Sequence, residues 1–145
     1  MKVRVGEHPA RQALEWGGGE RDGLVFAPVQ DLPDWAAVED ELAEAFTLSR
    51  EATLADAPVV YLLRMRAVLG RAAPLDSAVA AGLVAGARAL AFEGQRHARY
   101  ATVVAAADDV APETIAEAVG FAIESRGSLG QVLTLGTEHL GALLP

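Results

Sequence analysis

The feature that most restricts the fold is an apolar segment from Asp76 to Glu93 with no charged face. Its larger apolar residues recur at helical spacing: Val79, Leu83, Ala87, Leu90 and Ala91. This period predicts one long helix, with Asp76 or Ser77 as its N-cap. The other side carries small residues, namely Ala78, Ala81, Gly82, Ala85 and Ala89. A helix of this kind is predicted to be buried on most of its sides.

Two glycines interrupt the same helix. Gly82 and Gly86 each cost about 1 kcal/mol relative to alanine in a helix interior. Glycine at such positions suggests that another backbone passes close by. The segment is therefore expected to pack tightly against a neighbouring element.

Strand and helix patterns alternate along the rest of the chain. Short apolar runs predict strands at residues 1–5, 23–28, 57–63, 100–106 and 130–136. Helical patterns cover residues 9–16, 35–53 and 112–125, and a short helix or arm is expected after residue 137. The alternation predicts an α/β fold, a truncated Rossmann-like parallel sheet of about five strands with helices on both faces. Right-handed crossovers are expected.

The chain offers little support for a phosphate loop or a metal site. Gly17, Gly18 and Gly19 follow a helix pattern instead of a strand, so a flexible connector is the favoured interpretation. His8, His97 and His139 lie in no metal-binding motif, and there is no cysteine. The basic spot at Arg96, His97 and Arg99 is interpreted as a helix C-terminus.

The charge balance restricts the possible partners. The net charge is −8, which disfavours nucleic acid and anionic membranes. The acidic group Glu39, Asp40, Glu41 and Glu44 fits a solvated helix face better than a cation site. No apolar run approaches a membrane span and no signal peptide is evident, so a cytoplasmic location is expected.

Several segments carry a family resemblance. AAGLVAGARALAFE resembles A-A-L-x-G-L-x-R-x-L-A-x-E, and ELAEAFTLSREA resembles N-L-x-G-x-F-x-x-x-R-A. RYATVVAA is similar to R-V-N-A-V-A-P-G, and GQVLTLG is similar to G-Q-V-L-x-V-D-G-G. In this order and spacing they resemble the short-chain dehydrogenase/reductase (SDR) family over about residues 22–136. Residues 1–21 would then form a divergent strand and helix replacing the cofactor-binding half, and residues 137–145 an arm of the same single domain.

The resemblance places unsuitable residues at all four catalytic positions of that family. Glu41 takes the place of the asparagine, Leu63 (or Arg64) that of the serine, Asp76 that of the tyrosine and Ala80 that of the lysine. No catalytic residue, metal ligand or cofactor-binding residue of the family is therefore expected, and no cofactor is predicted. Tyr61 is interpreted as a core ring with a satisfied hydroxyl.

The resemblance implies a role in assembly. In the family the helices matching residues 35–53 and 76–93 form a four-helix bundle between subunits, and the last helix and strand form another interface. The leading hypothesis is a catalytically inactive SDR-like accessory subunit that pairs with a full-length SDR-type reductase, or with itself. The predicted interface residues are Leu42, Phe46, Ser49, Leu83, Gly86, Leu90, Phe92, Phe121, Val132 and Leu133.

Two alternatives remain open from the sequence. One is a small isomerase- or dehydratase-like enzyme that uses Glu41, Asp76 or His97 as acid–base groups in the remnant cleft. The other is a homo-oligomeric ligand-binding module.

Overall fold

The computed structural model describes residues 2–5, 8–17, 23–94 and 100–138. The strands are β1 (Lys2–Val5), β2 (Leu24–Ala27), β3 (Val59–Arg64), β4 (Ala101–Ala106) and β5 (Val132–Leu135). The helices are α1 (Arg11–Gly17), α2 (Trp35–Leu54), α3 (Met65–Val68), α4 (Pro74–Gly94) and α5 (Pro112–Ser125). The expectations for Gly18 and Gly19, for Arg96, His97 and Arg99, and for His139 and the rest of the tail lie outside the described residues.

The five strands form one parallel sheet in which each strand pairs with its predecessor in the chain, in the order β1-β2-β3-β4-β5. All four residues of β2 and all six of β4 are buried. This is typical of parallel strands covered on both faces, whose sequences are continuous apolar runs. The predicted α/β class, with a parallel sheet between two helical layers, is confirmed.

The two faces of the sheet bury different side chains. Leu24, Phe26, Tyr61 and Val103 face α2 and α4. The residues between them in the strands, such as Val25, Val60 and Val104, face α1 and α5. Side chains alternate along a strand, so each run of apolar residues supplies both cores.

This arrangement corrects the expected handedness of the crossovers. The strands progress in one direction across the sheet. Crossovers of a single hand would therefore place every helix on one face. Because α1 and α5 cover one face and α2 and α4 the other, two crossovers have the opposite hand to the other two. The expectation that all are right-handed is wrong.

Helix α4 begins two residues earlier than predicted, at Pro74. Proline suits the first turn, where its missing N–H is no loss. Asp76 therefore lies inside the first turn, and the prediction that Asp76 or Ser77 is the N-cap is wrong. The predicted inner stripe of Val79, Leu83 and Ala87 is buried.

The outer side of α4 is exposed in the single chain, at Ala81, Ala85 and Phe92 among others. Burial on most sides is thus not achieved by this chain alone. By length and composition α4 could also cross a membrane. Its inner side covers the sheet, however, and one such helix is common in the cores of proteins, so this gives no evidence of a membrane span.

Gly82 of α4 packs directly against a side chain of α2. A Cβ there would lie 3.0 Å from Cδ2 of Leu42. At Gly86, one turn further on, a Cβ would lie 3.9 Å from the ring of Tyr61. The nearest neighbours at both glycines are side chains, so the prediction of a close backbone is wrong.

Candidate functional site

Two of the four catalytic positions implied by the resemblance are apolar and buried. Leu63, near the carboxyl end of β3, and Ala80, on the inner side of α4, are each 1% exposed. Neither side chain has an atom that could transfer a proton or hold a substrate oxygen. The structure places them in the core around the sheet.

Glu41, at the position of the family's asparagine, is held in an ion pair. Arg4 donates from Nη1 to Oε1 and from Nη2 to Oε2, both at 2.9 Å, and Val29 N donates to Oε1 at 2.8 Å. Arg4 also bonds Glu44 at 2.6 Å and lies with its Cζ 4.9 Å from the centroid of the Phe26 ring. The carboxylate therefore links β1 and the loop after β2 to α2.

Arg4 remains charged in this setting. Burial lowers the pKa of Arg4, but its hydrogen bonds and charge interactions with Glu44 and Glu41 outweigh that effect, so its pKa lies above the ordinary value. Arginine's planar group matches a carboxylate with two parallel bonds. Arg4 was not recognised in the sequence as a functional or structural residue.

Asp76, at the position of the family's tyrosine, is also fully engaged. Its Oδ2 accepts a bond from Asp31 N at 3.0 Å, and its Oδ1 accepts one from Leu32 N at 3.1 Å. Asp31 has a positive φ of 56°, a backbone conformation that few non-glycine residues adopt without support. Asp76 therefore ties the loop after β2 to the first turn of α4.

A groove lies between α2 and α4, on the side of Gly86. This α2/α4 groove has a volume of about 420 Å³. Its lining residues are Phe46, Ser49, Arg50, Thr53, Leu54, Tyr61, Gly86, Ala89, Leu90 and Glu93. The structure thus brings together four of the predicted interface residues, Phe46, Ser49, Gly86 and Leu90.

The floor of the α2/α4 groove carries a hydroxyl pair. Ser49 Oγ and Tyr61 Oη are 2.8 Å apart. Burial raises the pKa of Tyr61, an effect only partly offset by the bond to Ser49, so the phenol stays protonated at neutral pH. Tyr61 also meets the Phe26 ring edge-on, with centroids 6.3 Å apart. The prediction of a core ring with a satisfied hydroxyl is confirmed.

Large apolar side chains stand exposed on α2 and α4. Phe46 on α2 is 69% exposed and Phe92 on α4 is 77% exposed. Leu54, at the end of α2, is exposed as well. Exposed phenylalanines on one helical layer, one of them beside an apolar groove, mark a surface that association or ligand binding could cover.

The remaining predicted interface residues are distributed over the molecule. Leu83 is buried within the chain itself, where it packs on the sheet. Leu42 packs against Gly82 in the half-buried layer between the helices. Phe121 is exposed on α5, and Val132 and Leu133 are half-buried in β5.

The carboxyl edge of the sheet, where ligands of open α/β folds bind, holds a set of ion pairs that the sequence did not reveal. Asp108 lies 3.7 Å from Arg64 and 3.8 Å from Arg66, and Arg71 lies 3.4 Å from Glu138. A cleft of about 410 Å³ runs between them. These groups are largely exposed and balance each other's charge. Within the described ranges, no three acidic or histidine side chains are placed to hold a metal ion.

The fold is shared with solved enzymes of the short-chain dehydrogenase/reductase family. An oxidoreductase of this family from Burkholderia thailandensis matches with a TM-score of 0.66 and 23% identity, over 86% of this chain and 67% of that one. The enoyl-[acyl-carrier-protein] reductase (NADH) from Aquifex aeolicus VF5 matches with a TM-score of 0.64 and 15% identity, over 86% and 67% of the two chains. The resemblance drawn from the sequence is confirmed as an SDR-like fold.

No family model and no curated protein matches this sequence. The structural likenesses have low identity and establish the fold alone. The chain spans about two thirds of the length of the two enzymes.

Proposed function

We propose that this chain is a non-catalytic, SDR-like subunit that assembles with an SDR-type reductase through α2 and α4 and supports its stability or active site. The observation that carries the proposal is the exposure of two aromatic rings on this helical layer, Phe46 beside the α2/α4 groove and Phe92 on the outer side of α4. A partner's helices packed across α2 and α4 would remove both rings from water. Burying a phenylalanine is worth about 1.5–3 kcal/mol.

The state of the catalytic positions supports a role without chemistry. Leu63 and Ala80 have no polar side-chain atoms, and both oxygens of Glu41 and of Asp76 already accept hydrogen bonds within the fold. An acid–base catalyst needs a carboxylate that can reach a substrate proton. Freeing either carboxylate would require the chain to break the bonds that hold its own loops and edge strand.

The rim of the α2/α4 groove favours helix pairing with defined orientation. Arg50 on α2 and Glu93 on α4 line this groove from its two opposite sides. In a two-fold assembly, Arg50 of one subunit can face an acidic residue of the other. Such rim charges contribute mainly to orientation and rate of association.

The test is the mass in solution by light scattering, for the chain alone and co-expressed with the reductase encoded nearest to it. We expect the chain to form a stoichiometric complex with the reductase. Phe46→Asp and Phe92→Asp should each abolish this assembly. Thr114→Asp is the matched control, because it adds the same charge at an exposed position of α5, on the opposite face of the sheet. A chain that stays monomeric alone and with the reductase would refute the proposal. A homo-oligomer that is unaffected by the reductase but dissociated by the same two substitutions would redirect the partner to a second copy.

A further inference from the structure

A second groove lies on the other face of the sheet, between α1 and α5. This α1/α5 groove has a volume of about 920 Å³. It is lined by Pro9, Gln12, Ala13, Pro112, Glu113, Ala116, Glu117, Gly120, Phe121 and Glu124. Small residues form much of its surface, since Ala13, Ala116 and Gly120 stand where the two helices face each other above the core. No catalytic position lies here.

Phe121 gives the α1/α5 groove an exposed aromatic ring. Its side chain is 62% exposed, whereas its neighbours Ala122 and Ile123 are buried against the sheet. An aromatic ring beside a groove of small residues is the kind of contact that dominates helix-in-groove recognition. Helix α5 has 14 residues and so measures about 21 Å, enough to lie along roughly four turns of another helix.

The charges around this groove are acidic. Glu113, Glu117 and Glu124 recur along the exposed side of α5 and line the groove. Two described cations lie near lining residues in the sequence, and both have partners: Arg11 on α1 is paired with Glu15 at 3.0 Å, and Nη2 of Arg126 donates to the carbonyl oxygen of Asp56 at 3.4 Å. A second copy of this chain placed on the same surface would bring carboxylates against carboxylates. Like charges at an interface oppose association, whereas a basic partner would be attracted.

We infer that the α1/α5 groove binds a basic amphipathic helix of a partner protein, with apolar side chains against Phe121 and lysine or arginine side chains against Glu113 and Glu117. This inference is independent of assembly through α2 and α4, because the two surfaces lie on opposite faces of the sheet. The partner that binds at α5 is then a different protein and not a second copy of this chain.

The probe is a pair of amphipathic peptides of about four helical turns with the same leucine positions, one carrying lysines and the other glutamates on the polar face. Binding to the full chain is measured by fluorescence anisotropy at low and high salt. We expect the lysine peptide to bind, with an affinity that falls as salt rises, and the glutamate peptide not to bind. Phe121→Ser should weaken binding about tenfold, as expected for an aromatic anchor.

The charge contribution is tested by the double variant Glu113→Gln with Glu117→Gln. Neutralisation should weaken binding by up to about fivefold for each carboxylate. The matched control is Glu39→Gln with Asp40→Asn, which changes the net charge equally at exposed positions of α2 and should leave binding unchanged. Circular dichroism establishes that each variant is folded.

Three results would overturn the inference. The first is no binding of the lysine peptide up to about 1 mM. The second is equal binding of both peptides. The third is an equal loss of peptide affinity in the α5 and α2 charge variants. That result would indicate that the lysine peptide is attracted to the overall negative charge of the chain. Because Phe92→Asp should leave peptide binding intact, failure here is distinguishable from failure of the reductase complex.

Discussion

Arg4 on the edge strand β1 and Glu41 on α2 form a two-pronged ion pair, with both nitrogen–oxygen distances at 2.9 Å. The pair joins residues that are 37 positions apart in the chain. Together with the bond from Arg4 to Glu44, it links the N-terminal strand to the helix layer above it. Glu41, which the resemblance places at the family's asparagine position, has a structural role in this chain.

Replacing Glu41 with alanine should lower the free energy of unfolding by about 2–3 kcal/mol. The substitution leaves Arg4 without its buried partner and Val29 N without an acceptor. The cost stays below that of a fully buried pair because Arg4 is partly exposed and retains Glu44. Urea unfolding measures the change. Glu39→Ala, at an exposed position of the same helix, should cost less than about 0.5 kcal/mol; equal losses would contradict the structural role of Glu41.

Replacing Asp76 should loosen the loop after β2. Asp76→Ala removes the acceptors for two backbone N–H groups and should cost about 2–3 kcal/mol. Asp76→Asn keeps one acceptor oxygen and should cost about half as much. Amide hydrogen exchange should accelerate at Asp31 and Leu32 in both variants. Unchanged exchange at these two amides would show that Asp76 does not anchor the loop.

The two glycines of α4 should respond differently to alanine. Gly86→Ala should raise the free energy of unfolding by about 0.5–1 kcal/mol, because alanine favours the helix and its Cβ would rest 3.9 Å from Tyr61. Gly82→Ala should gain less or lose stability, because its Cβ would approach Leu42 to 3.0 Å. Thermal unfolding of the two variants provides the comparison. An equal gain at both sites would indicate that α2 and α4 are less tightly packed at Gly82.

His8 should make the chain less stable in mild acid. Burial, with a further contribution from the charge of Arg64, lowers the pKa of His8 below its usual 6.5. Its Nδ1 accepts a hydrogen bond from Ala10 N at 3.1 Å, which requires that nitrogen to be unprotonated. The unfolded chain therefore takes up a proton before the folded chain does. This contribution to stability is complete above about pH 6.5 and is lost as the pH falls further.

The measurement for His8 is urea unfolding between pH 8 and about pH 5. The variant His8→Asn keeps a side-chain acceptor near Ala10 N but does not titrate in this range. Its stability should decline less than that of the original chain below pH 6.5. If the free energy of unfolding falls equally with pH in the two proteins, His8 is not a source of the acid sensitivity.

The sequence predicted the elements well because the strands are short, wholly apolar runs bounded by turn residues. The segment containing Val59 to Leu63 is typical. Because the strand is buried on both faces, its sequence is a continuous apolar run that is easy to recognise. The inner stripe of α4 was equally clear. The start of α4 was misplaced because Asp76 is a strong N-cap residue by type, yet its carboxylate is used by a loop 44 and 45 residues away.

The contacts of the candidate site were beyond the reach of sequence patterns for a similar reason. Nothing in the local sequence of Arg4 indicates that it bonds Glu41, and the acidic group around Glu41 has the pattern of a solvated face. Glu39 and Asp40 are indeed exposed, but Glu41 is buried by its pairing. The hand of the crossovers likewise depends on which face each helix covers, which the helical period alone does not specify.

The packing of α1 against α5 has a consequence for how the chain folds. Strands β2 to β5 each pair with a strand that has already been synthesised, but α1 can pack on its partner helix only when α5 has been synthesised, about a hundred residues later. Until then Val25, Val60 and Val104 have one side uncovered. Contacts between distant parts of a chain form slowly, and apolar surface left open meanwhile invites aggregation. During synthesis, this face of the sheet therefore keeps apolar surface uncovered until nearly the whole described chain has been made.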